Sequence, residues 1–261
     1  KKYSSSFRIR LLNSSLHTRQ YPAHPTGGPN KIGIYKHVFH DDKRDGRNVP
    51  VKVTYPDVKE VKPRPVIIWS HGLGGSRDGA GFLARYLASY GYVVVNVTHP
   101  GTDTSLWEGK KGHPWDVIRA THIPRKATLQ RFQDIPFVLD SLETWRDNFP
   151  LMAKVMDLGR IGMSGHSFGA VTTQVMAGQK LGRGNRLYDL KDPRFRAAIA
   201  YSPSIGYNDD QPQDKIYGSI DLPMFHMTGT HDTSPVRPEL GYKYRLKINN
   251  AASGAAQYLA I

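Results

Sequence analysis

Apolar residues in this chain gather in short runs of two kinds, separated by polar stretches rich in glycine and proline. In residues 32–41 (IGIYKHVFHD) and 49–55 (VPVKVTY) apolar and polar positions roughly alternate, which predicts two strands joined by a DDKRDGRN turn. Residues 65–71 (PVIIWSH), 92–99 (YVVVNVTH), 195–203 (FRAAIAYSP) and 222–230 (LPMFHMTGT) are more continuously apolar, as strands covered on both faces must be. A helical period marks 80–91 (AGFLARYLASYG), closed by Gly91, and 125–148, with Pro136 as an expected kink. RIGMSG (160–165) predicts a strand, AVTTQVMAG (170–178) the start of a helix, and AQYLAI (256–261) a last core strand. Residues 100–122 show no period and are expected to form a long irregular stretch. Strands alternating with helices imply an α/β fold: a mostly parallel sheet with helices on both faces. Residues 1–31 have the composition of a loose basic arm, and 32–261 show no internal boundary or repeat, so one domain is expected there.

Composition narrows this picture. A chain of 261 residues is long enough for a large core. No run approaches the roughly 18 apolar residues of a membrane span. Cysteine is absent, which removes disulfides and thiolate metal sites. The net charge is +14, and no acidic residue precedes Asp41. Such a surface attracts anionic partners, yet no helix-turn-helix, RNA-binding aromatic signature or zinc spacing accompanies it, so nucleic acid is not expected and contact with an anionic surface is left open. The chain opens on lysine rather than methionine, as either a removed leader or a fragment would; the first of these fits a secreted or periplasmic home.

The candidate chemistry lies at Gly165-His166-Ser167-Phe168-Gly169. As a bare pattern Gly-x-Ser-x-Gly is weak, since chance alone supplies roughly 0.15 occurrences in a chain of this composition. Its setting is stronger: a strand, a sharp turn and a helix, as a nucleophile elbow requires. The glycines make room where side chains two residues either side of the serine would collide. Upstream, His71-Gly72-Leu73-Gly74-Gly75 follows a buried strand directly. In an enzyme of this kind that loop supplies one oxyanion-binding N–H and the residue after the serine the other, here Leu73 and Phe168.

HGLGG, the helix FLARYLASYGY and GHSFGA together resemble α/β-hydrolases, in the branch that holds dienelactone hydrolases and plasma-type platelet-activating-factor acetylhydrolases. The resemblance runs from about residue 33 to 261 and implies serine-dependent hydrolysis of carboxylic esters with no metal or cofactor. It also implies a place for the acid. Where the acetylhydrolases carry theirs, this chain has Tyr201-Ser202-Pro203-Ser204. Where the dienelactone hydrolases carry theirs, it has Asp232, the expected partner of the catalytic histidine; Asp209 and Asp210 are weaker candidates.

Chain order in this fold is serine, acid, histidine, and no histidine follows Asp232. His231 adjoins the acid, His166 should point away from the serine hydroxyl, and His71 is expected to stabilise its own loop. His113 and His122 lie in the irregular stretch. His99, at a strand end, is the least poor substitute. The resemblance places the histidine in a loop after the last strand, which leads to the expectation of a C-terminally truncated chain without its final helix. The expected mechanism has Ser167 attack an ester carbonyl, a histidine relay its proton, and Asp232 fix that histidine's tautomer. Trp107, Trp115 and Leu106 are candidates for an apolar substrate wall, and Lys110, Lys111 and Arg119 for an anionic group. The substrate is expected to be a small-molecule or lipid-like ester. The alternative is a non-catalytic relative that binds a ligand or partner.

Overall fold

The computed structural model describes residues 27–59, 62–204, 211–234, 241–253 and 256–261. Its strands are β1 (Ile32–Asp41), β2 (Arg47–Pro56), β3 (Arg64–Ser70), β4 (Val93–Val97), β5 (Met156–His166), β6 (Leu181–Arg183), β7 (Arg186–Tyr188), β8 (Phe195–Tyr201), β9 (Met224–Met227) and β10 (Gln257–Ala260). Its α-helices are α1 (Gly81–Ser89), α2 (Pro114–Ala120), α3 (Arg125–Asn148), α4 (Pro150–Val155), α5 (Phe168–Ala177), α6 (Gln213–Tyr217) and α7 (Tyr242–Ala251).

Eight strands form one sheet in the order β1-β2-β4-β3-β5-β8-β9-β10, and β6 and β7 form a separate hairpin. β1 and β2 are antiparallel, as are β2 and β4; every other pairing in the large sheet is parallel. The continuous apolar run of β4 has the reason anticipated for it: all five of its residues are buried. Val93, Val95 and Val97 join Val66 and Ile68 of β3 in the larger core, with Phe132, Ile135 and Leu139 of α3 and Ala170 and Val175 of α5. Val94 and Trp69 form a smaller core with Ala84 of α1. Alternate side chains thus meet helices on opposite faces of the sheet.

Several local expectations change. The stretch at 100–122 is not irregular throughout: Thr104–Leu106 forms a 3-10 turn, and α2 begins at Pro114 with the His113 ring accepting from Trp115 N–H at 3.3 Å. Proline at the first helical position was a readable start signal. α3 continues through Pro136 for 24 residues. α4, α6, α7 and the β6–β7 hairpin were not anticipated; they are short, and their apolar periods are weak. Of the basic arm, residues 1–26 lie outside the described residues. Its last part is not loose, because Gly28 N–H donates to Ser89 Oγ at 2.7 Å and Asn30 N–H to Ser89 O at 3.1 Å. Asp209 and Asp210 also lie outside the described residues.

Candidate active site

The parallel strands β3, β4, β5, β8 and β9 end on one edge of the sheet, where α/β folds place their ligands. Ser167 sits there between β5 and α5. Its N–H continues the ladder by donating to Tyr201 O at 3.0 Å. Its backbone then reverses, with φ 55° and ψ −114°. For a residue with a Cβ this is a strained conformation. Packing enforces it from both sides. A Cβ at Gly165 would lie 2.3 Å from Gly169 O, and one at Gly169 would lie 1.9 Å from Ser70 O. Only glycine fits at either place.

The HGLGG loop comes down beside this turn. The position a Gly72 Cβ would take is 3.4 Å from Ser167 Cβ and 3.3 Å from His166 Nδ1. The loop is anchored from behind: Gly74 N–H donates to Thr102 O at 2.9 Å, and Gly75 N–H to Gly72 O at 3.1 Å. His71 is buried, with Nδ1 donating to Gly72 O at 2.6 Å and Nε2 accepting from His99 N–H at 3.1 Å. Burial, then the charge of Arg131, holds its pKa well below the ordinary imidazole value, so the ring is neutral and its tautomer is set by these two bonds. Among the described residues, the N–H groups of Leu73 and Phe168 have no hydrogen-bond acceptor.

Asp232 lies in the loop after β9. Its Oδ2 accepts from Thr228 Oγ1 at 2.9 Å, and Arg245 of α7 sits 3.1 Å from its Oδ1. Arg245 also donates to the carbonyls of Asp232, Ser202 and Pro203. It therefore ties the Asp232 loop to the end of β8, the strand that holds Ser167 N–H. Both charges reach His166: partial desolvation lowers that imidazole, Asp232 opposes this, and Arg245 adds to it. Ser167, the HGLGG loop, His166 and Asp232 thus belong to one neighbourhood. Among the described residues, however, Ser167 Oγ makes no hydrogen bond, and the Asp232 carboxylate is paired with an arginine rather than a histidine.

His99 is committed elsewhere. Its Nε2 meets Ser70 Oγ at 3.0 Å and its Nδ1 meets Asp134 Oδ2 at 3.0 Å, all three side chains being buried. Desolvation, then Arg131, pushes its pKa down to about 4. Burial alone would raise the Asp134 carboxyl, but hydrogen bonds from Arg47 and His99 outweigh that and lower it. Ser70, Arg131, Asp134 and Arg245 escaped the sequence reading. The Arg131/Asp134 spacing, three apart on a helix, was the available hint.

The proposed substrate wall divides. Trp107 packs against the loop, its indole N–H donating to Gly74 O at 2.7 Å, and Ile118 of α2 abuts the same glycine. Leu106 is buried, whereas Trp115 is exposed on α2. Lys110 donates to Leu106 O, and Arg119 pairs with Asp116 on the surface. Among the described residues, no three His, Cys, Asp or Glu side chains gather to hold a metal ion. No helix there is long and apolar enough to cross a membrane.

Comparison with known proteins bears on the fold. The family model of platelet-activating factor acetylhydrolase, isoform II, matches residues 47–107, a segment that includes the HGLGG loop but not Ser167. No curated protein matches the chain. Among solved structures, a ferulic acid esterase from Streptomyces cinnamoneus superposes with a TM-score of 0.60 at 20% identity, over 91% of this chain and 74% of that one. A cold-adapted esterase from an Arctic intertidal metagenomic library gives 0.59 at 14% identity, over 91% and 88%. A Klebsiella pneumoniae protein described as a dienelactone hydrolase gives 0.56 at 15%, over 88% and 85%. The fold is that of the α/β-hydrolases.

Proposed function

We propose, from a fold shared with solved esterases, that this protein is a serine-dependent carboxylic ester hydrolase acting through an acyl-enzyme on Ser167. The observation that carries the reading is the backbone of Ser167, held at φ 55° between two glycines that admit no side chain. Such strain persists only where the surrounding structure over-determines it, and it clusters at functional sites. Ser167 Oγ attacks the ester carbonyl, and the N–H groups of Leu73 and Phe168 stabilise the developing oxyanion. Asp232 serves as the acid that orients a histidine base, which accepts the Ser167 proton and returns it to the leaving alcohol; no histidine follows Asp232 in these 261 residues, so on their own they should turn ester over slowly. For that role its carboxylate must exchange Arg245 for the imidazole. Trp107 borders the acyl side through its contact with Gly74, and small or lipid-like esters are the substrate class.

A neutral fluorophosphonate tests this directly. In a form of the protein that carries this histidine, labelling should occur once, at Ser167, and Ser167→Ala should abolish both labelling and turnover of nitrophenyl esters. Ester turnover that survives Ser167→Ala would overturn the assignment. One observation favours a second reading, a non-catalytic binding protein: the Asp232 carboxylate is already satisfied by Arg245 and Thr228. A folded protein that carries this histidine yet neither labels nor turns over any ester in a panel of rising acyl length would support that reading instead.

A further inference from the structure

Arg131, on the first half of α3, has no solvent exposure. Nε donates to Thr172 Oγ1 at 2.9 Å, Nη1 to Thr102 Oγ1 at 2.9 Å, and Nη2 to Ser70 Oγ at 2.9 Å and to the carbonyl of His71. All four acceptors are neutral. Among the described residues Arg131 forms no ion pair; Asp134, one helical turn on, is taken by Arg44, Arg47 and His99. Burial lowers the guanidinium to about 9, and Asp134 and Asp103 act against this from a distance, so it stays charged at neutral pH. A buried cation solvated only by neutral oxygens is a costly arrangement that an apolar side chain of similar size would avoid.

Its placement supplies a reason. The His71 carbonyl opens the loop that carries Leu73. Thr172 stands one turn beyond Phe168 on α5, and its hydroxyl donates in turn to Phe168 O at 3.1 Å. The guanidinium carbon lies 4.4 Å from the centre of the Phe168 ring. One rigid planar group therefore grips both halves of the oxyanion hole. Ser70, His99 and Asp134 keep that grip in register: the Ser70 hydroxyl donates to His99 Nε2, leaving its lone pairs to Arg131, and His99 Nδ1–H is held by Asp134. That series has the order of a catalytic triad, but with no solvent exposure on any of its side chains it has no access to substrate.

We propose that Arg131 is the positioning residue of the oxyanion hole: it clamps the Leu73 loop against the start of α5 and sets a desolvated positive charge behind the two amides. The role rests on the ester-hydrolase reading. A fixed charge in a water-poor site acts most on the negative charge that develops in the transition state, so its loss should appear in kcat and not in KM.

The test compares wild type, Arg131→Lys and Arg131→Met, each in a form that carries the histidine base. Sites are titrated with the fluorophosphonate, kcat and KM are then measured on a short-chain nitrophenyl ester, and a thermal midpoint is recorded for each. Arg131→Met should lower kcat per titrated site by about 30- to 100-fold, with KM within about twofold of wild type. Arg131→Lys, which keeps the charge and loses the fork, should fall between them. A purely structural arginine would lower the thermal midpoint and the number of titratable sites while leaving kcat per site unchanged, and that result overturns the proposal. Should Arg131→Met fail to fold, Arg131→Lys decides alone, and wild-type kcat per site in that variant counts against the clamp. Wild type that carries the histidine base and neither labels nor turns over ester refutes the hydrolase reading itself, a separate outcome from active wild type with unimpaired variants.

Discussion

At the scale of single residues the turn at Ser167 leaves least room for change. A methyl group at Gly169 would overlap the carbonyl of Ser70, which is fixed in β3, so neither partner can yield cheaply. Gly169→Ala should cost about 3 kcal/mol or more, beyond ordinary overpacking, and should abolish labelling of Ser167; a denaturant melt with parallel probe labelling checks both. The buried imidazoles make a different prediction. His99 is pushed down to about 4 from an ordinary value of 6.5, chiefly by loss of solvent and then by Arg131, and His71 is lowered for the same reasons. Both are neutral in the fold and take up protons once unfolded. Their contribution is complete above the unfolded value of 6.5 and is lost as the pH falls, for His99 toward about 4. For His99 alone the loss should be about 3 kcal/mol across that window. Urea melts at about pH 7 and about pH 4.5 measure it, and His99→Gln should flatten the slope; an unchanged slope means that His99 does not titrate as its burial requires.

Among the elements, α7 carries more than its ten residues suggest. It contributes Arg245, whose guanidinium reaches Asp232 and the carbonyls of Ser202 and Pro203, so one helix joins two of the loops at the site. Removing that side chain leaves a largely buried carboxylate and two carbonyls without their donor. Arg245→Ala should destabilise the protein by about 2–4 kcal/mol and raise amide exchange in residues 228–234 and 201–204 more than in β3 or β4. Exchange that rises equally everywhere would deny α7 this local role. α2 works in the opposite sense. It is anchored by the buried Ile118 against Gly74 while most of its other residues are exposed, so it covers the glycine loop at 71–75 through a narrow contact.

For the molecule as a whole, charge is the dominant imbalance. Thirty-six lysines and arginines face 22 aspartates and glutamates. The carboxylate of Asp134 binds Arg44, Arg47 and His99 internally, and most of the remaining pairs are at the surface. Net self-repulsion should therefore outweigh the attraction lost when exposed pairs are screened. Raising sodium chloride from about 10 mM to about 300 mM should lift the thermal midpoint by a few degrees, since about 1 kcal/mol shifts a chain of this size by roughly 2–4 °C. A midpoint that falls with salt would show that the ion pairs outweigh the repulsion.

The sequence by itself determined the α/β class, the principal strands of the sheet, and the strand–turn–helix setting of Ser167 with the glycine-rich turn before α1, because each depends on local matters: burial on two faces, helical period, and turns that only glycine can make. It left α2 inside an irregular stretch, although His113-Pro114 marked its start, and it passed over α4, α6 and α7, whose short apolar patterns gain meaning only from what they pack on. Tertiary structure alone decided which polar residues meet. Nothing local announces that Arg131 reaches Ser70, His71, Thr102 and Thr172, or that His99 serves Ser70 rather than Ser167. Nor does spacing along the chain bring Arg245 to Asp232. Those partnerships are settled by strand order and by the depth at which each side chain is buried, where every polar atom must find a partner across large separations in sequence.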